Sequence, residues 1–273
     1  MPALPAPADL PKISCVMVTA DRHAFVRRAV ANFAEQTYPH RELVVLDNGR
    51  EPMRPLLEGL PESQVVYRHT PRREGVYIGA LRNASLEMAT GGYVVPQWDD
   101  DDWSHPDRLA RQAAVLQDGY DACTLPGTLM HVDAPGYFLH PFLGLLRGGV
   151  PPTIMHRRDG GIRYPNLRRT SDTSYAGQWA ARAYAILPRG SEHLYVRYFH
   201  GGNLWEQQHF VRRMRNTPAD FVAYAWHRFV RGNLLGHPRF QLSAEARAAF
   251  ARYLADSRRF GFFMHDPEGA LAA

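Results

Sequence analysis

The chain predicts an α/β fold with a mostly parallel central sheet flanked by helices, followed by a helical C-terminal segment. Two observations carry this. From Ile13 onward, short β-rich apolar runs alternate with segments of helical periodicity, and beyond about residue 205 strands give way to helices. Strands that alternate with helices of this length imply right-handed βαβ crossovers and parallel pairing.

The elements follow in order. ISCVMV reads as the first strand, and RHAFVRRAVANFAEQ as a helix with Phe25, Ala29, Val30 and Phe33 on one face. ELVVLD and QVVYRH are the second and third strands. VYIGALRNASLEMA has helical spacing and is broken by Gly91-Gly92, after which YVVPQW forms a fourth strand. A helix is expected over Pro106–Gln117, with Ser104 or His105 near its cap and proline in its first turn. After Ala122 the pattern loosens into a hairpin through GYFLH, a strand at PTIMHR and an Arg- and Gly-rich loop. Strands at AYAIL and HLYVRYF, a GGN turn, and two amphipathic helices running from Trp205 to about Arg258 complete the chain.

Composition narrows the function classes. No stretch of this 273-residue chain approaches 18 apolar residues, and MPALPAPADL lacks the basic and apolar regions of a signal peptide. The expectation is therefore a cytoplasmic protein without a transmembrane segment. Cys15 and Cys123 lie in apolar runs without CxxC spacing and read as buried free thiols. Residues 1–130 carry 13 Lys and Arg against 17 Asp and Glu, whereas residues 131–273 carry 19 against 10, so the basic character belongs to the second half. No GxGxxG, GxxxxGK, GxSxG or HExxH occurs, which removes the simplest routes to a dinucleotide enzyme, an NTPase, a serine hydrolase or a zinc protease.

Against that background, WDDDDW at residues 98–103 stands out. Two carboxylates about 6 Å apart repel by roughly 3 kcal/mol at an effective dielectric of about 20. Such a run is either a solvated acidic loop or a site compensated by a cation. In an extended segment alternate side chains share a side, so Asp99 and Asp101 are expected to face one ligand while Asp100 and Asp102 face elsewhere. Carboxylate oxygens suit Mg²⁺ or Mn²⁺, which leave positions open for phosphate oxygens. Asp47 and the aspartates fall at the carboxyl ends of predicted strands, where open α/β sheets bind ligands.

With these pieces in place, the chain resembles the inverting nucleotide-sugar glycosyltransferases of family 2 with the GT-A (Rossmann-like) fold, over roughly residues 12–205. ISCVMVTADR is similar to the first strand and its donor-binding turn, EQTYPHRELVVLDNG to the second strand ending in a base-binding aspartate, and IGALRNASLEMATGGYVVPQWDDDDW to the helix and strand leading to a DxDD motif. The resemblance implies a tail at 1–11, a catalytic domain at 12–205 (donor half 12–103, acceptor half 104–205) and a helical segment at 206–273 packed on it.

It also implies roles. Asp47 would accept hydrogen bonds from the nucleotide base, with Thr19 and Asp21 in the donor pocket. Arg82 would face the donor, Asp99 would contact the ribose or the metal shell, and Asp101 would ligate Mn²⁺ or Mg²⁺ on the diphosphate. Local readings compete: Thr19 as a strand-end hydroxyl, Asp47 as a turn-former before Asn48-Gly49, and Arg82 as a solvated helical residue. Ala20-Asp21 replaces the family's usual Tyr-Asn, and DNGREP lacks the second acidic residue after the turn, so nucleotide and sugar are less defined than the reaction.

Inversion needs a base on the face opposite the leaving diphosphate. Asp172 fills that position, with Ser171 where the family often has glutamate, although both could equally cap a helix. His200 is a candidate metal ligand by resemblance, and Trp205 either walls an acceptor or packs in the core. The implied partners are a nucleotide-sugar donor of the UDP class and a glycan or other hydroxyl-bearing acceptor. Nucleic acid is not among them. The alternatives are a metal-dependent phosphohydrolase or nucleotidyltransferase using the same acidic rim, or a basic nucleic-acid-binding module. The C-terminal apolar stripe Phe221, Val222, Ala225, Trp226 and Phe229 is wide enough to be core; acceptor or peripheral membrane contact are the other roles open to it.

Overall fold

The structure, a computed structural model, describes residues 10–167, 170–203 and 212–267. In chain order the elements are β1 Ile13–Thr19, α1 His23–Ala34, β2 Arg41–Asp47, β3 Val65–His69, α2 Ile78–Met88, β4 Tyr93–Val95, β5 Trp103–Ser104, α3 Arg108–Gln117 and β6 Ala122–Thr124. There follow β7 Gly127–Val132, β8 Phe142–Leu145, β9 Met155–Arg157, α4 Ser171–Trp179, β10 Tyr184–Ile186, β11 Tyr195–Phe199, α5 Pro218–Ala225 and α6 Ala244–Arg258. β1 to β4 and α1 to α3 fall on the expected stretches to within three residues, because each carries its own apolar periodicity, whereas β5, β6 and β7 were not expected.

The chain separates into two compact units: residues 1–124 with 151–187, and residues 125–150 with 188–273. The divisions fall at 124/125, 150/151 and 187/188 rather than near residue 205, whose surroundings lie outside the described residues. Leu10 and Pro11, expected in a flexible tail, are tied down: the Tyr38 hydroxyl donates to the Pro11 carbonyl at 2.6 Å and His40 Nδ1 meets the Leu10 carbonyl at 2.7 Å.

The first unit is built on a seven-stranded sheet ordered β10-β6-β9-β4-β1-β2-β3. Neighbours are parallel except around β9, which runs antiparallel to both β4 and β6. One apolar layer joins Val16, Val44, Leu46 and Val94 of the sheet to Met88 and Ala89 at the end of α2. Another places Tyr164, Tyr175, Ala176 and Trp179 with Ala122 and Ile154. α3 starts at Arg108 rather than Pro106, because Ser104 is already engaged: its hydroxyl accepts from Arg108 Nη1 at 2.8 Å and its backbone from and to Asn32.

In the second unit β7 lies between β11, to which it is parallel, and β8, to which it is antiparallel. The β7–β8 connection contains GYFLH, as expected of a hairpin loop. Met130, Val132, Phe142 and Met214 form its buried cluster, with Tyr224, Leu234 and Phe240 packed against it. The stripe expected to be core is instead on the surface: Phe221, Val222, Trp226 and Phe229 are all exposed. The chain turns its other side inward, through Tyr224 and the Asp220–Arg239 ion pair.

Candidate functional site

In the first unit, β1 and β2 end side by side, with Thr19 opposite Asp47 in register. β4 ends at Val95, and the chain runs on as an irregular loop that turns at Asp100 and Asp101. That turn breaks the two-residue alternation. Asp100 therefore does not face away from its neighbours: it is the buried member of the group, 3% exposed, and Thr19 donates to its Oδ2 at 2.7 Å. The guanidinium of Arg22 spans two members of the run, reaching Asp100 Oδ1 at 2.5 Å and Asp101 Oδ2 at 2.9 Å.

The turn is held from beneath by α1. Arg28 and Asn32, four residues apart on α1, and Gln36 just past its end donate to the carbonyls of Asp101, Ser104 and His105 at 2.6, 2.6 and 3.0 Å. The flanking indoles are core: Trp98 donates to the Ala29 carbonyl at 3.1 Å and meets Phe33 edge-on, while Trp103 is fully buried. Arginines thus compensate the acidic run within the chain. Burial and the adjacent Asp101 and Asp99 push the Asp100 carboxyl up to about 7, opposed by Arg22 and the Thr19 hydroxyl. In return, Asp101, Asp100 and Asp99 raise the pKa of Arg22 against its burial.

The other predicted residues fall into place as follows. Asp47 is fully buried and organises the turn after β2: its carboxylate accepts from Gly49 N at 2.9 Å, Met53 N at 2.8 Å and the Tyr67 hydroxyl at 2.7 Å. Asp21 has a left-handed backbone (φ 56°), and its Oδ1 accepts from Arg50 N at 2.7 Å. A side chain on Gly49 would crowd Asp21 N and Oδ1, both at 2.9 Å, so glycine lets the two turns meet. Arg82, on α2, lies 3.7 Å from Asp99 and donates to the Ser171 hydroxyl at 3.3 Å. It therefore links the acidic run to the start of α4.

Asp172 is in the first turn of that helix, half-buried, and its Oδ1 accepts from Thr173 N at 2.9 Å. Thr170, the residue before α4, is the other non-glycine with left-handed backbone (φ 63°) among the described residues. Tyr164 completes this side. The carboxylates of Asp99 and Asp172 and the Arg82 guanidinium all act on its phenol, whose pKa burial raises well above the ordinary value. Asn83 clamps its backbone with two 2.8 Å hydrogen bonds, and its ring stacks on Tyr175 at 3.9 Å. Its hydroxyl is buried without a hydrogen-bond partner among the described residues. Orphaned buried hydroxyls are rare in folded proteins.

His200 belongs to the second unit, on the turn after β11, where its N–H donates to Asn203 Oδ1 at 2.8 Å. Trp205 lies outside the described residues. Sequence reasoning missed Arg22, Tyr164 and the Arg28-Asn32-Gln36 ladder. The ladder had a legible signal, three polar residues at i, i+4 and i+8 on a helix read only for its apolar face.

Among the described residues no cluster of three or more His, Cys, Asp or Glu side chains is arranged to hold a metal by itself. Asp99 and Asp101 nevertheless keep side chains 30% and 18% exposed, with Arg82 3.7 Å from Asp99 Oδ1 and Arg22 2.9 Å from Asp101 Oδ2. Partly exposed carboxylates are the donor type that suits a hard cation.

Comparison with solved structures gives the same fold. The chain aligns with Staphylococcus aureus TarS (residues 1–349, in complex with UDP-GlcNAc) at TM-score 0.57 and 18% identity, over 91% of this chain and 81% of that one. It aligns with the mannosyltransferase PcManGT of Pyrobaculum calidifontis, in complex with GDP-Man and Mn²⁺, at TM-score 0.54 and 20% identity, over 93% and 78%. WcaA of Escherichia coli (strain K12), named for glycosyl transfer in colanic acid biosynthesis, is 29% identical over 103 residues. That match covers 37% of this chain and 36% of the relative, so the chain spans about a third of that relative's length. The profile of the family described as Glycosyl transferase family 2 matches residues 14–166. More than half the chain lies within that match, and the chain belongs to glycosyl transferase family 2.

Proposed function

We propose that the protein is a metal-dependent, inverting glycosyltransferase that moves a sugar from a nucleotide diphosphate donor of the UDP class to an acceptor hydroxyl. The observation that carries the reading is the meeting, at one sheet rim, of Asp99, Asp100 and Asp101 with Thr19, Arg22 and Arg82. Family membership supports it, as do the nucleotide-sugar complexes of TarS and PcManGT.

In this reading Asp101, assisted by Asp99, would hold Mn²⁺ or Mg²⁺ beside the donor diphosphate. When bound, the ion neutralises charge that develops on the leaving diphosphate. Asp100 and Arg22 fix the turn that aims Asp101. Asp47 and Asp21 set the paired turns at Gly49 and Arg50 against which the nucleoside lies. Arg82 binds the donor side and orients Asp99. On the opposite side Asp172 takes the proton from the acceptor hydroxyl as its oxygen attacks the anomeric carbon. The bond from that carbon to the diphosphate breaks, and its electron pair leaves on the diphosphate oxygen.

The test is a panel of nucleotide sugars incubated with the purified chain, with and without Mn²⁺. Divalent-dependent formation of nucleoside diphosphate, lost in Asp101→Asn, is expected. Formation of nucleoside monophosphate and sugar 1-phosphate would instead identify a pyrophosphohydrolase and overturn the reading.

A further inference from the structure

The second unit carries an apolar face that the reaction at the sheet rim does not use. α5 opens with Thr217 accepting from Asp220 N at 3.1 Å and continues beyond Ala225 as a π-helical turn over Trp226–Val230. Its rotation is fixed from one side. Arg239, nearly buried, binds the Asp220 carboxylate twice, at 2.9 and 2.6 Å, and buried His237 meets the Asp220 carbonyl at 3.2 Å. Tyr224 packs on the Met130–Phe142 cluster.

On the other side Phe221, Val222, Trp226, Phe229 and Val230 are between 51% and 78% exposed. The spacing i, i+1, i+5, i+8 and i+9 puts all five on one helical face. Five large apolar side chains on one face of a ten-residue stretch form a patch of the kind that marks an interaction surface.

Charge identifies the occupant. Residues 212–244 contain six arginines and one carboxylate, Asp220, which Arg239 already engages. Arg212, Arg215, Arg228 and Arg231 are exposed. A two-fold pairing of this face with a second copy would set its own arginines against themselves, with no acid in the segment to answer them. A phosphate-bearing lipid surface answers both features, since it takes aromatic and aliphatic side chains at the acyl boundary and arginines at the headgroups. No described helix is long and apolar enough to cross a membrane, so the segment would lie on the bilayer rather than span it.

We propose that the face formed by Phe221, Val222, Trp226, Phe229 and Val230 docks on a bilayer containing anionic phospholipids, with Arg228 and Arg231 at its headgroups. The experiment is flotation of the full chain with vesicles of mixed phosphatidylglycerol and phosphatidylcholine, and with phosphatidylcholine alone. Partitioning into the anionic vesicles is expected to be stronger by about tenfold or more and to fall with added salt. Trp226→Ser with Phe229→Ser, and separately Arg228→Gln with Arg231→Gln, should each lower it by roughly tenfold or more while leaving thermal unfolding unchanged, since all four side chains are exposed. Absence of partitioning, equal partitioning into both vesicle types, or indifference to both double variants overturns the proposal. Concentration-dependent dimerisation abolished by the Trp226/Phe229 variant would also overturn it and make the face a self-association surface.

Discussion

Arg22 and Asp100 form an ion pair 2.5 Å long at the foot of the acidic run, and Asp100 is almost completely buried there. Removing the guanidinium leaves a carboxylate that water cannot reach. Breaking a buried pair costs about 3–5 kcal/mol, less where one partner is partly solvated. Arg22→Gln is therefore expected to destabilise the protein by roughly 2 kcal/mol near pH 8. The Asp100 pKa already stands above its unfolded value, so stability from its protonation is present at low pH and lost as pH rises through about 7. The cost of Arg22→Gln should accordingly shrink near pH 5, and Asp100→Asn should rescue it near pH 8. Urea unfolding at both pH values decides: an equal loss at each, without rescue, would show that the pair is not what Arg22 contributes.

Gly79 is the contact point between α2 and the Tyr164–Asn166 segment, and a Cβ there would run into the Pro165 carbonyl oxygen. In an isolated helix Ala is favoured over Gly by about 1 kcal/mol. Gly79→Ala should nevertheless lower stability by about 1–3 kcal/mol, because the obstacle is backbone and cannot swing away. A denaturation midpoint equal to or above that of the parent would show that the two segments can separate freely.

His156 is fully buried between the Arg157 carbonyl and the Tyr175 hydroxyl, stacked on Trp179 at 4.2 Å. Burial lowers its pKa to about 4, below the unfolded value, so the folded state binds fewer protons. The stability it contributes is present above about pH 6.5 and lost as pH falls toward 4, amounting to about 3 kcal/mol. His156→Gln should flatten the acid limb of the stability profile over that window. An unchanged slope would assign acid sensitivity to other groups.

Asp172→Asn keeps the shape of the side chain and its hydrogen bond to Thr173 N while removing the proton acceptor. Turnover is expected to fall by roughly 10² to 10⁴ with donor affinity nearly unchanged. Weakened donor binding in a folded variant would put Asp172 on the donor side, and full turnover would leave it only its contact at the helix start.

How far the sequence was legible depended on which interactions were local. β1, α1, β2, β3, α2 and β4 fall where periodicity put them, because apolar patterning within six to fourteen residues decides each. The strand-end positions of Thr19 and Asp47 followed from the same parallel topology. The orientation of the four aspartates did not. Alternation holds only in extended backbone, and Asp100 turns inward to meet Thr19 and Arg22 some eighty residues earlier in the chain. The exposed face of Phe221 to Val230 was equally illegible, since an apolar stripe on a helix looks the same whether it meets protein or an outside surface. The packing of Tyr224 and the Asp220–Arg239 pair, between residues nineteen apart, show which side turns inward.

The proposed donor site rests on Asp101, whose side chain remains partly exposed beside Arg22 and Asp99. Calorimetric titration of UDP in the presence of Mn²⁺, into the parent and into Asp101→Asn, measures that role directly. The parent is expected to bind UDP about tenfold or more tightly with Mn²⁺ than without it, and Asp101→Asn to lose that increment while its thermal unfolding stays close to that of the parent. Equal Mn²⁺-dependent UDP affinity in the two proteins would contradict a metal-bridged diphosphate at the acidic rim.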